Sequence, residues 1–517
     1  MLRRIRREEL APRAAAAGFT LGDGEIEEFH RLTETMFDAL DALDASVPEP
    51  EDVVAGPRSC GRRPEPPDDP LNAVVRWCDV RADVIDETAP LAGLRIGLKD
   101  NVAVSGVPMT CGSRLLETYV PQDDAIVVQR LLRAGARIVA KLNMDAFSWS
   151  GSGETSDFGP IRNPFDPDRT ASGSSGGSGA ALAYPAFDAT IGTDQGGSIR
   201  LPAAWSGVIG LKPTHGLVPY TGCASMDPTY DHVGPLARTV ETTARVLQAI
   251  AGPDHRDARQ RDVVVGDYVG AVTGAPERLD GVRIGVLAEG MDLDPAADES
   301  ADGIVAATQE TVERLRALGA DVHEVCVPEH RHIGGPMFAT LAEGQAATAW
   351  AGGMAYGVHG RYSPDLNVAL GRAMRMHGDE LPPSMKLILL LGRYLNERYH
   401  GAVYARAQNA TPRLRAAYDR ALDAADALIM PTATQLPLRI APEASLAERV
   451  LRGWGMVANT VPFDLTGHPA LSLPAAELDG LPVGVMLVGR RFHEARLLAI
   501  ARSYEATYGW APTAAWR

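Results

Sequence analysis

Apolar positions along this chain keep two rhythms, which alternate from about residue 71 onward. Short apolar runs closed by turn residues read as strands: Leu94–Leu98, ending at Lys99, then Arg137–Lys141, Phe187–Thr193, Val282–Leu287, Asp321–Val327, Ala427–Pro431 and Val483–Val488. Between them, residues 124–134 and about 296–318 carry apolar side chains at helical spacing. Such alternation predicts an α/β fold, a sheet covered by helices on both faces.

The flanks have a different texture. Acidic helix-start residues and apolar positions at helical spacing predict a small helical region over about residues 20–45. The Pro/Arg/Asp-rich stretch Gly56–Pro70 has the composition of an exposed connector. Residues 1–70 are therefore expected to form a helical N-terminal region and linker, and 71–517 the main domain. Residues of about 334–425 hold few strand signals; they are rich in Ala, Met and Gly through Met354 and amphipathic afterwards. A helical insertion flanked by sheet elements is where a lid or pocket wall sits on a fixed scaffold.

Composition narrows the function classes. A chain of 517 residues with 45% hydrophobic and 22% charged residues can bury a sizeable core without staples. Its net charge of −16 argues against a nucleic-acid or anionic-membrane surface, so neither partner is expected. Five scattered cysteines without CxxC spacing read as a reduced, cytosolic protein. The basic N-terminus has no apolar h-region after it, and the longest aliphatic run, Leu387–Leu391, is far too short for a membrane span. The expected location is cytoplasmic.

The candidate chemistry lies in three short segments: Gly97-Leu98-Lys99-Asp100-Asn101, Gly173-Ser174-Ser175-Gly176-Gly177-Ser178 and Gly196-Gly197-Ser198-Ile199-Arg200. The chain has four lysines (Lys99, Lys141, Lys212, Lys386), and arginine supplies the rest of its 50 basic residues. Arginine cannot release its proton in a protein, whereas a desolvated lysine can, so a lysine kept in a tight turn is a candidate base. Keeping it neutral at pH 7 costs about 4–5 kcal/mol, which burial or neighbouring cations must supply. Glycines before Ser198 let backbone N–H groups approach a developing oxyanion, and Ser174 is placed to relay a proton between Ser198 and Lys99.

Each signal alone is weak. A Gly/Ser run is by composition a flexible linker, yet this one leads directly into Ala180-Ala181-Leu182-Ala183 and a strand. His323, His330 and His332, with Glu324, Glu329 and Cys326, lack HExxH or paired-ligand spacing, and a solvated loop accounts for them better than a metal. Gly153-Glu154-Thr155 lacks a P-loop lysine. Cys223 reads as a packing residue, and Asp100 reads equally as a support or a turn former.

Taken in order, the three segments resemble the amidase-signature family. Asp194-Gln195-Gly196-Gly197-Ser198-Ile199-Arg200, Gly207-Val208-Ile209-Gly210-Leu211-Lys212-Pro213-Thr214, Asp231-His232-Val233-Gly234-Pro235-Leu236 and Asn459-Thr460-Val461-Pro462-Phe463-Asp464 extend the likeness from about residue 70 to the end. Ser172 departs from it, standing where a glycine is commoner. The resemblance implies an α/β/α sandwich with a central mixed sheet and a serine amidohydrolase without metal or cofactor. By the same resemblance Ser198 is the nucleophile, Ser174 the bridging serine after a cis peptide bond, and Lys99 the general base. The amides of Gln195, Gly196, Gly197 and Ser198 form the oxyanion hole, and Asp194 and Arg200 support the loops. The helical N-terminus, the 151–157 loop and Leu217-Val218-Pro219-Tyr220-Thr221-Gly222 are similar to stand-alone bacterial amidases of broad range, often partners of nitrile hydratases; a homodimer acting on a small amide is expected. Three other readings stay open: a glutamine-hydrolysing subunit of a tRNA-dependent amidotransferase, a hydrolase of esters, carbamates or N-aryl amides with the same triad, and a non-enzymatic binding protein on an inherited fold.

Overall fold

A computed structural model of the chain describes residues 2–43, 53–65, 67–84, 86–296, 298–353 and 360–510. The end of the expected 20–45 helical region and Met354 of the insertion lie outside the described residues. The chain divides into two units, residues 1–52 and 53–517. In the first, helices Arg7–Ala16 and Asp23–Asp41 pack on each other.

The second unit is built on twelve strands: β1 (Arg58–Arg62), β2 (Val74–Val80), β3 (Arg95–Lys99), β4 (Arg137–Leu142), β5 (Ala189–Asp194) and β6 (Ile209–Lys212) come first. β7 (His232–Ala237), β8 (Arg283–Leu287), β9 (Asp321–Val325), β10 (Ala427–Pro431), β11 (Ala470–Leu478) and β12 (Leu481–Val488) follow. They form one mixed sheet in the order β1-β2-β4-β3-β5-β7-β6-β11-β12-β10-β8-β9. β3 runs parallel to both β4 and β5, and β8 to both β9 and β10, while the remaining neighbours are antiparallel.

Central strands are buried on both faces, so they read as continuous apolar runs rather than as alternations. In β12, Val483, Val485 and Leu487 enter one apolar core while Met486 and Val488 enter another. Helix Ala301–Ala317 covers the first core with Ile304, Ala307, Thr308, Thr311, Val312 and Leu315, the stripe that helical spacing dictates. On the other face helix Arg200–Ser206 lies so close to β12 that a Cβ at Gly484 would meet Ala204. Burying each such Leu, Ile or Val side chain contributes roughly 1.5–3 kcal/mol.

The stretch Gly56–Pro70, expected to be an exposed connector, contains the edge strand β1, which pairs antiparallel with β2. Four of its five residues stay exposed, so its side chains carry a connector's composition while its backbone completes the sheet. The expected helix over 124–134 begins at Ile126, because the Asp124 carboxylate is turned to Arg58, 2.6 Å away. Among the described residues no helix is long and apolar enough to cross a membrane.

Candidate active site

β3 and β5 are adjacent and parallel, so Lys99 at the end of one and Asp194 at the end of the other emerge on the same sheet edge. The carboxyl ends of parallel strands are where open α/β sheets build their sites. The Ser174 loop is delivered to that edge by short helix Gly176–Ala180, pinned along β5. Ser178 Oγ donates to the Ile191 carbonyl (3.1 Å), Thr190 Oγ1 to that of Ser178 (2.8 Å) and Ser175 Oγ to that of Thr193 (3.0 Å). The Gly173–Ser174 peptide is cis. Residue 173 must be glycine, since a Cβ there would collide with the Asp145 carboxylate. That carboxylate in turn accepts from the Gly153 and Thr155 amides, both at 2.9 Å, and so ties down the 151–157 loop.

Lys99 Nζ donates to Ser174 Oγ at 2.7 Å and to Thr193 Oγ1 at 2.8 Å. Lys99, Ser174 and Thr193 are wholly buried. Among the described residues Lys99 has no carboxylate partner within ion-pair distance. Burial pushes its pKa down to about 7, against the opposing fields of Asp194 and Asp145. A lysine in this state is neutral for about half the time at pH 7 and can accept a proton.

Ser198 follows on the loop after β5, and its carbonyl accepts from the Ser175 amide at 3.3 Å, which joins the two glycine loops. Asp194 shapes that loop from within: its carboxylate accepts from the amides of Gly197 (2.6 Å) and Ile199 (3.0 Å) and from Arg200 Nε (2.9 Å). Although burial pushes the Asp194 carboxyl upward, the Arg200 charge and its hydrogen bonds hold it well below the usual carboxylate range. Arg200, also fully buried, reaches on to Asp464 (2.7 Å) and the Thr460 carbonyl (2.8 Å). Thr460 Oγ1 donates to the Gly196 carbonyl at 2.6 Å. The Gly197 amide is thus committed to Asp194 and is withdrawn from the four expected oxyanion donors. Among the described residues no protein group accepts from the amides of Gln195, Gly196 and Ser198.

Other expectations sort themselves by partner. Asp100, left open between support of the glycine loops and turn former, lies buried in the turn after β3: it is 2.9 Å from Lys141 and accepts from the Thr110 amide, and no bond from it reaches a described residue of either glycine loop. Cys223 is buried in the core, where burial raises its thiol pKa far out of the reactive range. His330 is turned inward to Tyr418 Oη and Asn459 Oδ1.

Ser198, 8% exposed, lines a cavity whose walls are Trp149, Met226, Tyr230, Met337, Leu341, Ile388, Trp454 and Val461, with Ser148, Thr340 and Gln345 among its polar positions. Thr340–Gln345 is a π-helical turn of the helical insertion, a distortion that recurs at functional sites. Among the described residues no acidic, basic or histidine side chain lines this cavity. Sequence reasoning missed Thr193, Asp145 and most of the wall. Thr193 and Asp145 carry a visible signal, a polar residue closing an apolar run, whereas the wall comes from segments far apart in the chain.

A mixed α/β sheet with a depressed lysine on a serine at its carboxyl edge, beside unclaimed amides, defines an amide-hydrolysing enzyme. The pattern of the amidase family matches residues 71–498, and the chain belongs to that family. It is 38% identical over 466 residues to the enantioselective amidase of Rhodococcus rhodochrous, covering 86% of this chain and 87% of that one. It is 38% identical over 424 residues to a glutamyl-tRNA(Gln) amidotransferase subunit of Symbiobacterium thermophilum, covering 81% and 83%. Among solved structures, 6-aminohexanoate cyclic dimer hydrolase superposes with a TM-score of 0.70 at 26% identity, covering 82% and 86%.

Proposed function

We propose that this enzyme hydrolyses small carboxylic amides, uncharged in the part that enters the Ser198 cavity, through an acyl-enzyme on Ser198. Neutral Lys99 takes the Ser174 proton as Ser174 takes that of Ser198, and Ser198 Oγ attacks the amide carbon. The amides of Gln195, Gly196 and Ser198 stabilise the oxyanion. The relay then runs in reverse and protonates the departing nitrogen, and water activated by the same pair releases the acid. The difference in access supports the order of the two serines, since Ser174 is wholly buried and Ser198 opens on the cavity.

The observation that carries the substrate class is the uncharged lining of the cavity. Glutamine would bring an ammonium and a carboxylate there, and burying either without a partner is expensive. An apolar acyl group meets no such penalty. The decisive experiment is ammonia release from propionamide, benzamide and glutamine by the purified chain, with Ser198→Ala as blank. The expected result is turnover of the two simple amides, none of glutamine and none by the variant. Glutaminase activity alone would overturn the reading. The proposal includes a homodimeric, cytoplasmic enzyme. Exposed Leu387, Leu390, Leu391 and Tyr394, one stripe of helix Pro383–Tyr399, support an apolar contact between copies, which sedimentation equilibrium reads. Five free cysteines support a reducing compartment.

A further inference from the structure

A second cavity, of about 640 Å³, lies behind Leu465, which lines both it and the Ser198 cavity. Its character is opposite. In a chain of net charge −16, six arginines line it against one acid, Asp262, among the described residues. Three of the six have carboxylate partners: Arg256 with Asp254 (2.6 Å), Arg259 with Asp231 (3.1 Å) and Asp257 (3.2 Å), and Arg361 with Asp123 (2.7 Å). Arg261, Arg415 and Arg491 form no ion pair with any described residue.

One of these is anchored through its side chain, and another sits on a turn whose backbone is fixed. Arg415, half-buried on helix Ala402–Ala424, gives its Nε to the Thr466 carbonyl at 2.8 Å, and its two terminal nitrogens have no described partner. Arg491 lies in the turn after β12, which the Gly489 amide fixes to the Pro469 carbonyl (3.1 Å) and the Phe492 amide to Thr214 Oγ1 (2.7 Å). Arg415 and Arg491 line the same cavity; burial lowers the Arg415 pKa, and the Arg491 charge acts in the same direction. Asp419, one helical turn on from Arg415, is engaged by His468 Nε2 at 3.2 Å. Two guanidinium forks that line one concavity and have no ion-pair partner among the described residues match the oxygens of a phosphate or carboxylate.

We propose that this cavity is a binding site for a small anion of the phosphate or carboxylate class, held by Arg415 and Arg491. The site does not depend on Ser198 chemistry, and binding is read without turnover. The anion is either free in solution or the far end of a substrate whose amide occupies the neighbouring cavity.

The test is calorimetric titration of inorganic phosphate into the full chain at fixed ionic strength, because screening weakens any such contact. The variants are Arg415→Gln and Arg491→Gln, with Arg278→Gln, an exposed arginine paired to Asp280, as the charge control. Saturable binding in the millimolar range is expected, weakened about tenfold by each cavity substitution and not by the control. No saturable heat, or equal affinity in all four proteins, overturns the site. If Arg415→Gln perturbs its helix, Arg491→Gln, on an exposed turn, decides alone. Ammonia release then separates the two sources of the anion. Phosphate that raises KM for succinamic acid and not for propionamide supports the site as the seat of a substrate's own carboxylate. Phosphate that binds and changes neither KM supports it as a seat for a free anion. Absence of all amide turnover sinks the proposed function and leaves the titration able to decide the site.

Discussion

Lys99→Met is the most searching perturbation, because one titrating group then predicts two unrelated measurements. The fall of the Lys99 pKa from 10.5 to about 7 corresponds to about 5 kcal/mol at 1.36 kcal/mol per pH unit. In that window the unfolded chain holds a proton that the folded chain does not, so the folded state gains stability as pH rises. The penalty is complete below about pH 7, shrinks through the interval, and vanishes above 10.5. Methionine, of similar shape and without charge, removes the penalty at every pH. It also forfeits the hydrogen bonds to Ser174 and Thr193, each worth about 1 kcal/mol, but that loss is constant with pH. Between pH 7 and 9 the parent should therefore gain about 2.3 kcal/mol of unfolding free energy on the variant, whatever the two absolute values. Urea denaturation at several pH values reads this, and the other titrating groups cancel in the difference. The parent's kcat/KM should rise tenfold per pH unit on the acid side and level off above about 7, the same group seen through its chemistry. Parallel stability curves, or an acid limb centred near pH 10, would refute the assignment of Lys99 as a neutral base.

Other expectations follow from single contacts. Thr193→Val removes a hydroxyl that favours charged Lys99, so the acid limb of kcat/KM should move below pH 7 and the rate fall about tenfold. Asp194→Asn leaves the fully buried Arg200 with one carboxylate of two and frees the glycine loop, so urea unfolding should show a loss of about 3–5 kcal/mol. Trp454→Ala opens the wall of the Ser198 cavity, and the ratio of benzamide to propionamide turnover should rise. Ser198→Ala should cost at least about 10⁴ in amide turnover with the melting temperature nearly unchanged.

How much of this was legible depends on whether the controlling contacts are local. Ala427–Pro431 is buried at all five positions, and its sequence shows it. β1 was hidden because only its backbone takes part in the sheet. β7 was hidden because Gly234 and Pro235 interrupt an otherwise apolar run inside a fully buried strand. The glycine loops stood out because close approach there forbids a Cβ, a constraint written directly into residue type. The commitment of the Gly197 amide was not legible, since it depends on Asp194 turning back over three residues and being held there by Arg200. The cavity walls were least legible of all. Trp149, Met226, Met337 and Trp454 are ordinary apolar residues until the fold gathers them, and nothing local marks them as walls of a site rather than of the core.

The lysines show how residue type and partner divide the work. Arginine stands nearly everywhere that a permanent charge suffices, and three of the four lysines are wholly buried: Lys99, Lys141 and Lys212. Burial alone does not make a base of any of them. Lys141 lies 2.9 Å from the Asp100 carboxylate, its ion-pair partner. Lys212 is depressed to about 7 by burial, yet it donates to the His468 and Pro213 carbonyls, and neither has a proton to give. Lys99 alone combines a depressed pKa with a serine hydroxyl at hydrogen-bond distance. The contact with Ser174, more than the shift itself, is what its proposed role as base rests on.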